Sequence, residues 1–137
     1  MAANSRVAVA AHIVSVLAAK CDEFVSSQAI AGSVNTNPVV IRHILVALTR
    51  AGIVVSHEGK AGGSKLVKCP EDITLWDLSV ALGEEHLFAI HKNPPNPKCA
   101  ISCRMKETLG KAFASAERAA QAQLRKVSVK DLLAEAR

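Results

Sequence analysis

The sequence predicts a mainly α-helical protein with a small two-stranded β wing: a winged helix-turn-helix plus a long C-terminal dimerisation helix. Two capped helices separated by a short polar turn predict the helix-turn-helix. A glycine-rich hairpin directly behind them predicts the wing, and a long Ala-rich helical pattern predicts the dimerisation helix. The predicted parts are a head over residues 1–83, a joint over 84–99, and the dimerisation helix with its tail over 100–137.

The first helix is predicted over residues 5–20, where apolar residues recur at helical spacing. Arg6 and His12 interrupt the apolar run, so a secretory signal peptide is disfavoured and a cytoplasmic protein is expected. No apolar stretch approaches the roughly 18 residues of a membrane helix. The buried face is expected to carry Val7, Ala10, Ala11, Val14 and Leu17.

A second, short helix is predicted over residues 27–33. Ser26 or Ser27 can cap it, because a serine hydroxyl accepts a hydrogen bond from an unpaired N–H of the first turn. Ala29 and Ile30 are expected to face the core.

The third helix has the clearest local pattern in the chain. Asn37 is the expected N-cap, and Pro38 suits the first helical position, where its missing N–H costs nothing. Gly52 is expected to end the helix in a left-handed conformation, after about 14 residues. The apolar stripe consists of Ile41, Ile44, Leu45 and Leu48.

Residues 53–69 are predicted to form a strand, a glycine-rich turn and a second strand. A fourth helix follows, with Thr74 as its cap, Asp77 completing the capping box and Gly83 at its end. Its core-facing residues are expected to be Leu75, Leu78 and Leu82.

Residues 93–97, "NPPNP", form a rigid, non-helical joint before a long helix predicted over about 100–126. An apolar face this continuous favours packing against the same helix of a second copy. The alternative is a helix folded back on its own head. The face carries Met105, Leu109, Ala112, Phe113, Ala116, Ala120 and Leu124.

The formal charge of +5 is unevenly distributed. Residues 1–68 contain seven Lys and Arg against three Asp and Glu, whereas residues 69–137 contain ten against nine. A basic first half favours an anionic partner, with double-stranded DNA as the first choice. The alternative is a basic surface with no specific partner.

The third helix keeps one side free of its apolar stripe, and its first residues are the ones that reach base edges in a helix-turn-helix. Arg42 can pair with guanine and a valine can pack on a thymine methyl, whereas Arg50 is expected to contact phosphate. Arg42 and Arg50 could also be ordinary solvated charges, but two exposed valines at a helix start argue against a plain surface. The DNA-binding candidates are Ser26, Ser27, Asn37, Val39, Val40, Arg42, His43, Arg50, Lys60, Gly62, Gly63, Ser64 and Lys65.

The cysteines at positions 21, 69, 99 and 103 do not form a disulfide framework. Cys99 and Cys103 could be a redox pair, part of a metal site, or two small apolar residues. If residues 99–103 are helical, the two Cβ atoms lie about 5–6 Å apart, so a disulfide between them would fray the first turn. Lys98, Arg104 and the helix N-terminus are expected to favour reactive thiolates.

The sequence resembles the Rrf2 family of bacterial winged-helix regulators, which includes iron–sulfur, nitric-oxide and cysteine-metabolism repressors. The resemblance covers nearly the whole chain and is carried by "SSQAIAGSVNTNPVVIRHILVALTRAGIV", "GKAGGSKL", "PEDITLWDLSVAL" and the "NPPNPKC" approach to the long helix. It implies a homodimer on a palindromic operator, base contacts from the third helix and minor-groove contacts from the wing. By analogy we expect a repressor that responds to a redox or thiol-reactive signal through Cys99 and Cys103.

Two departures from the family matter. Iron–sulfur members carry three closely spaced cysteines before the long helix, whereas this chain has Cys99 and Cys103, so no metal or cluster is expected. Some members have an arginine just before the wing glycine, where this chain has Glu58, and Lys60 could replace it. No enzyme signature is present.

Two alternative functions stay open at this point. One is a winged-helix module that binds protein. The other is a DNA-binding regulator controlled by a small molecule without cysteine chemistry, with a pocket near His86, Phe88 and His91.

Overall fold

The computed structural model describes residues 5–137, so residues 1–4 of the predicted head lie outside the described part. A 3-10 turn over Pro70–Asp72 precedes the fourth helix and was not predicted. The helices and strands are α1 (Arg6–Ala19), α2 (Ser27–Val34), α3 (Pro38–Arg50), β1 (Val54–His57), β2 (Gly63–Leu66), α4 (Leu75–Ala81), α5 (Ala100–Leu124) and α6 (Val129–Ala136).

α1 is the central helix of the head, which we define as α1–α4 with the β1–β2 wing. Ala10, Val14 and Leu17 are buried as predicted, and Ile13 is buried with them. Val7 and Ala11 pack at the edge of the same core. The predicted fold, mainly helical with one two-stranded sheet, is confirmed.

Side-chain caps set the starts of the next helices as predicted. Ser26 Oγ accepts a hydrogen bond from Ala29 N–H at 3.1 Å. Asn37 Oδ1 accepts one from Val39 N–H at 2.8 Å, and Gly52 follows α3 with a φ of +74°. The inward face of α2 was misplaced by one residue, because Ile30 and Ala31 are buried and Ala29 is exposed.

β1 and β2 pair antiparallel, from Val54 opposite Leu66 to His57 opposite Gly63. α4 has the predicted capping box between Thr74 and Asp77. Leu78 and Leu82 are buried, whereas Leu75 is partly buried. β1 packs against α3 and β2 against α1, which holds the wing beside α3.

α6 was not predicted, since its residues were assigned to a tail. Ser128 and Asp131 form its capping box, and it packs against α1 with Val129 fully buried. Val129 N–H donates to Ile73 O at 2.8 Å, and Leu75 N–H donates to Val127 O at 3.0 Å. The chain therefore returns to the head after α5. The boundaries at 84 and 100 stay predictions.

The joint, residues 84–99, has no helix or strand and runs along α5. Glu117 accepts hydrogen bonds from the N–H groups of Leu87 (3.1 Å) and Phe88 (3.3 Å) and contacts His86 Nδ1 at 3.3 Å. Phe88 also stacks on Phe113, with ring centroids 4.8 Å apart. His86 and Phe88, proposed above for a small-molecule pocket, thus contact α5.

The Glu117 contact makes the joint sensitive to acid. The hydrogen bond to His86, followed by those from the Phe88 and Leu87 backbone, holds the pKa of Glu117 below its ordinary value of 4.5. A lowered pKa means that ionised Glu117 favours the docked joint above about pH 4.5, and that this contribution is lost as pH falls through the folded pKa. We expect the amide proton shifts of Leu87 and Phe88 to titrate together in NMR with a midpoint below 4.5. Glu117→Gln should abolish that titration, whereas Glu107→Gln should preserve it; unchanged titration in Glu117→Gln would exclude the contact.

Within residues 5–137, no helix combines the length and the apolar character needed to cross a membrane.

Candidate nucleic-acid interface

The outer face of α3 is exposed because the opposite face is held in the core. Ile41, Ile44, Leu45 and Leu48 are buried, and Ala47 packs at the edge of the same core. Val39, Val40 and Val46 are exposed at 49%, 41% and 49%. Arg42, His43 and Arg50 are also exposed. Apolar and cationic side chains on one capped helix match the chemistry of base edges and phosphates in a major groove.

Asn37 and Ser26, two of the predicted DNA contacts, act as helix caps. The Asn37 carbonyl oxygen accepts from Val39 N–H, so a base contact from this residue would come from its amide nitrogen. Ser26 Oγ is likewise engaged with Ala29 N–H. Ser27 is partly exposed at the first position of α2.

A cleft of about 570 Å³ lies between α2, α3 and the wing, and we call it the front cleft. Ser27 lies at its α2 side, Arg42 and Arg50 on α3, and His57 and Glu58 on the wing side. The predicted contacts of α2 and α3 are therefore brought to one surface. Glu58 places a negative charge there, which would repel a phosphate at that point.

The front cleft and the wing carry four cations. Arg42 and Arg50 line the front cleft, whereas exposed Lys60 and partly exposed Lys65 lie on the wing, with Lys60 in a separate depression. None of the four has an ion pair among the carboxylates of residues 5–137. Within the front cleft, Arg42 and Arg50 against Glu58 give a net positive charge, as a phosphate-binding surface requires.

Steric contacts within the protein explain why residues 62 and 63 of the wing are glycines. Gly63 has a φ of +148°, and a methyl group there would overlap the Val25 backbone; a methyl group at Gly62 would overlap the His57 carbonyl. Glycine is thus needed at position 63 for the wing to pack against the chain before α2, and at position 62 for the turn of the wing to close on its own backbone. DNA contacts by these two glycines stay predictions.

Gly63→Ala should destabilise the protein by about 1–3 kcal/mol, because it combines a disfavoured φ with a steric overlap. The matched control is Gly32→Ala in α2, where nothing lies within 4 Å of the added methyl group. Alanine is the better helix former, so the control should stabilise by up to about 1 kcal/mol. Urea unfolding measures both, and equal effects of the two changes would refute this explanation of Gly63.

Ser64 has a structural role within the wing. The residue is 3% exposed, its Oγ lies 2.7 Å from Ser56 Oγ, and its backbone N–H and C=O pair with Val25 at 2.9 Å. These contacts hold the wing to the segment before α2. Ser64 also borders the front cleft, and its assignment as a DNA contact stays a prediction.

Lys65 lies over the ring of Phe24, a residue that was not predicted to belong to the interface. Its Nζ is 5.0 Å from the centroid of Phe24, and His57 meets the same ring edge-on at 4.7 Å. Phe24 thus supports two side chains of the wing. It lies between two helices outside any periodic pattern, so only its position next to buried Val25 could have indicated it.

The predicted sensor pair is at the start of α5. Cys99 is extended and caps the helix, with Ser102 N–H donating to its Sγ at 3.4 Å. Cys103 Sγ is 3.5 Å from Asn96 O, and both thiols are free. Cys99 precedes the first residue of α5, so the condition that residues 99–103 are all helical is not met, and its thiol is part of the N-cap.

Across residues 5–137, no three His, Cys, Asp or Glu side chains group together in a way that could hold a metal ion. Cys99 and Cys103 alone do not supply the three or four protein ligands that a zinc site or an iron–sulfur cluster takes.

Comparisons with known proteins agree with this geometry. Residues 3–135 match the family model of Rrf2, described as an iron-dependent transcriptional regulator. The chain is 44% identical over 131 residues to YwnA of Bacillus subtilis (strain 168), named as a candidate HTH-type transcriptional regulator, covering 95% of this chain and 96% of YwnA.

Two solved structures are also similar. One, of a candidate transcriptional regulator from Lactobacillus plantarum, has 30% identity and a TM-score of 0.80, covering 96% of this chain and 89% of that one. Another, of a candidate DNA-binding protein, has 36% identity and a TM-score of 0.75, covering 94% of this chain and 99% of that one. The chain therefore belongs to the Rrf2 family, and it is a DNA-binding transcriptional regulator and not an enzyme.

Proposed function

We propose that the chain is a homodimeric repressor that binds a palindromic operator in the cytoplasm and senses a thiol-reactive signal through Cys99 and Cys103. The single observation that supports a dimer is the exposure of α5, which has 25 residues, none of them buried. At about 1.5 Å per residue it is about 37 Å long. In a dimer, the same helix of a second copy would pack against α5 and bury its apolar face.

The apolar residues of α5 support this assembly. Ile101 is 70% exposed and Met105 36% exposed, and Leu109 continues their face one turn further on. The joint packs on the adjoining side of α5, through Glu117 and through Phe113, a residue of the predicted dimer face that stacks on Phe88 of the same chain. Exposed apolar residues at helical spacing favour a helix partner.

A symmetric pair of heads implies a symmetric operator. Two recognition helices related by a two-fold axis reach successive major grooves when they are about 34–36 Å apart, so half-sites should lie about 10 bp apart or a multiple of it. Such a dimer acts by occupying its operator, which favours repression of overlapping promoters.

The position of the cysteines supports a switch at the start of α5. Diamide would accept two electrons and two protons from the Cys99 and Cys103 thiols, forming one disulfide and a hydrazine. Closing that bond removes Cys99 Sγ from the helix cap, and the first turn of α5 would fray. Since α5 links the two heads in the proposed dimer, such a change would alter the spacing of the recognition helices.

The family description names iron, but the donor set of this chain does not fit a cluster held by one copy. Cys99 and Cys103 are the cysteines near the joint, and the described residues group no third ligand with them. The proposed signal is therefore carried by the thiols themselves.

Selection of bound sequences from a random DNA library tests the function. We expect an inverted repeat, with strong enrichment and two equivalent footprints per dimer. Recovery of no common sequence under either reducing or oxidising conditions would refute sequence-specific regulation.

The double variant Cys99→Ser, Cys103→Ser tests the switch. Serine also caps helices, so the fold and the operator affinity of the reduced protein should be preserved. We expect diamide to weaken operator binding of the parent protein and leave the variant unaffected. The control is Cys21→Ser, Cys69→Ser, which should respond as the parent does. An unchanged diamide response in the Cys99, Cys103 variant would refute the switch.

A further inference from the structure

A second cleft, of about 640 Å³, lies behind α3, between its C-terminal end, α4 and the end of α5, and we call it the rear cleft. Three cations line it: Arg50 from α3, Lys68 from the segment after the wing, and Arg125 at the C-cap of α5. None of them has an ion-pair partner among residues 5–137. The one carboxylate in the lining, that of Asp77, caps α4 by accepting from Thr74 N–H at 2.9 Å. The cleft thus has a net positive charge.

The rear cleft also offers an aromatic face. Trp76 is half-buried in its lining, and the Arg125 guanidinium lies 5.8 Å from the centroid of the indole ring. Ala47, Ala51 and Val80 add apolar wall. A ring with aliphatic neighbours and convergent cations is suited to a flat apolar body that carries an anionic group.

We propose that the rear cleft binds a small planar organic acid, such as an aromatic carboxylate, as an effector. The ring would lie against Trp76 and the aliphatic wall. The carboxylate would accept charge-assisted hydrogen bonds from the guanidinium and ammonium groups, which is the geometry that arginine favours.

Binding of the acid would be coupled to binding of DNA through Arg50. Arg50 lines both the front cleft and the rear cleft, so a carboxylate in the rear cleft would draw its guanidinium away from the DNA-facing side. The bound acid would then weaken operator binding, and operator would weaken acid binding by the same factor. This coupling rests on the proposed function, whereas the binding of the acid does not.

The chain has one tryptophan and no tyrosine. Its ultraviolet fluorescence therefore comes from Trp76 and should report binding in the rear cleft directly. The probes are benzoate, nicotinate and indole-3-carboxylate in calorimetry, with benzoate repeated by Trp76 fluorescence. Benzamide is the neutral match for benzoate, and inorganic phosphate tests an anion without a ring. We expect saturable binding of at least one planar acid in the millimolar range or tighter, and weaker binding of benzamide and phosphate.

Variants locate the site. Lys68→Ala and Arg125→Ala should each weaken binding of the acid by about 10–150-fold, as expected for a lost charge-assisted hydrogen bond. Arg118→Ala, on the exposed part of α5, should leave it unchanged. Equal binding of benzoate and benzamide, or no effect of either cleft variant, would overturn the proposal.

DNA-binding measurements separate the effector proposal from the proposed function. If no acid binds while Lys68→Ala lowers the salt dependence of DNA binding, the rear cleft holds DNA phosphate only and the effector proposal fails. If an acid binds but no operator exists, the proposed function fails and the site stands.

Discussion

The operator affinity of the proposed dimer is expected to fall by about 10³–10⁵ as monovalent salt rises from 50 to 200 mM, if six to ten phosphates are contacted. Each head presents Arg50, Lys60 and Lys65 for phosphate. Two heads supply six such cations, the lower end of that range. Each contact releases a condensed counterion, so salt opposes binding directly. Fluorescence anisotropy of a labelled operator across a salt series measures the slope.

Lys60→Ala should reduce the slope of log K against log salt by about 2, because the dimer loses two contacts. Lys130→Ala is the control. Lys130 lies on α6 and pairs with Glu71 at 3.8 Å, outside the front cleft and the wing. A parent protein whose affinity hardly changes with salt, or equal slopes for both variants, would contradict phosphate binding by the wing.

A pair of charges on α5 should separate the dimer. Ile101→Asp together with Met105→Asp places carboxylates at positions already exposed in the single chain, so the head should stay folded. In the dimer the same charges would be buried against a second copy, which costs several kcal/mol unless they are paired. Sedimentation should show a monomer. Operator affinity should fall by about 10²–10⁴. In the dimer, binding of one head holds the second head at a high local concentration near its half-site, and this advantage is lost in the monomer.

Arg118→Asp is the matched control, on the side of α5 away from the Ile101–Met105 face. It should leave both the mass and the operator affinity near those of the parent. A dimer that survives the double change would require a different interface.

Local signals were enough to place most of the head. Asn37 and Thr74 were predicted as caps and are caps, and of the two serines predicted for the second helix Ser26 is the cap. A short polar side chain at a helix start satisfies N–H groups that nothing else nearby can reach. Gly52 ends α3 for a similarly local reason. Such interactions depend on neighbours in the sequence, so the sequence reveals them.

The errors concern contacts between distant segments. α6 has only eight residues, and its capping box, Ser128 with Asp131, was a local signal that could have indicated it. Its packing on α1, by contrast, is encoded by no local pattern. Ala29 was placed inward because a helix of eight residues fixes its rotation poorly. The burial of Ser64 through its pairing with Val25 is likewise a contact between distant segments that the sequence does not show.

The candidate site likewise has one part that the sequence predicts and another that depends on the tertiary structure. The exposed side of α3 followed from its buried stripe, since helical geometry fixes one face once the other is known. Phe24 beneath Lys65 and Arg50 between the two clefts depend on how α3, α4 and the wing are arranged. These features could not be predicted without the tertiary structure.

The most direct test of base recognition by α3 compares the parent protein with Arg42→Ala on two DNA fragments, the selected operator and a scrambled fragment of equal length. Arg42 is expected to read a base, so its loss should weaken operator binding by about 1–3 kcal/mol per half-site and weaken scrambled DNA far less. The ratio of the two affinities should therefore collapse. An unchanged ratio, with both fragments weakened equally or neither affected, would contradict base recognition by α3.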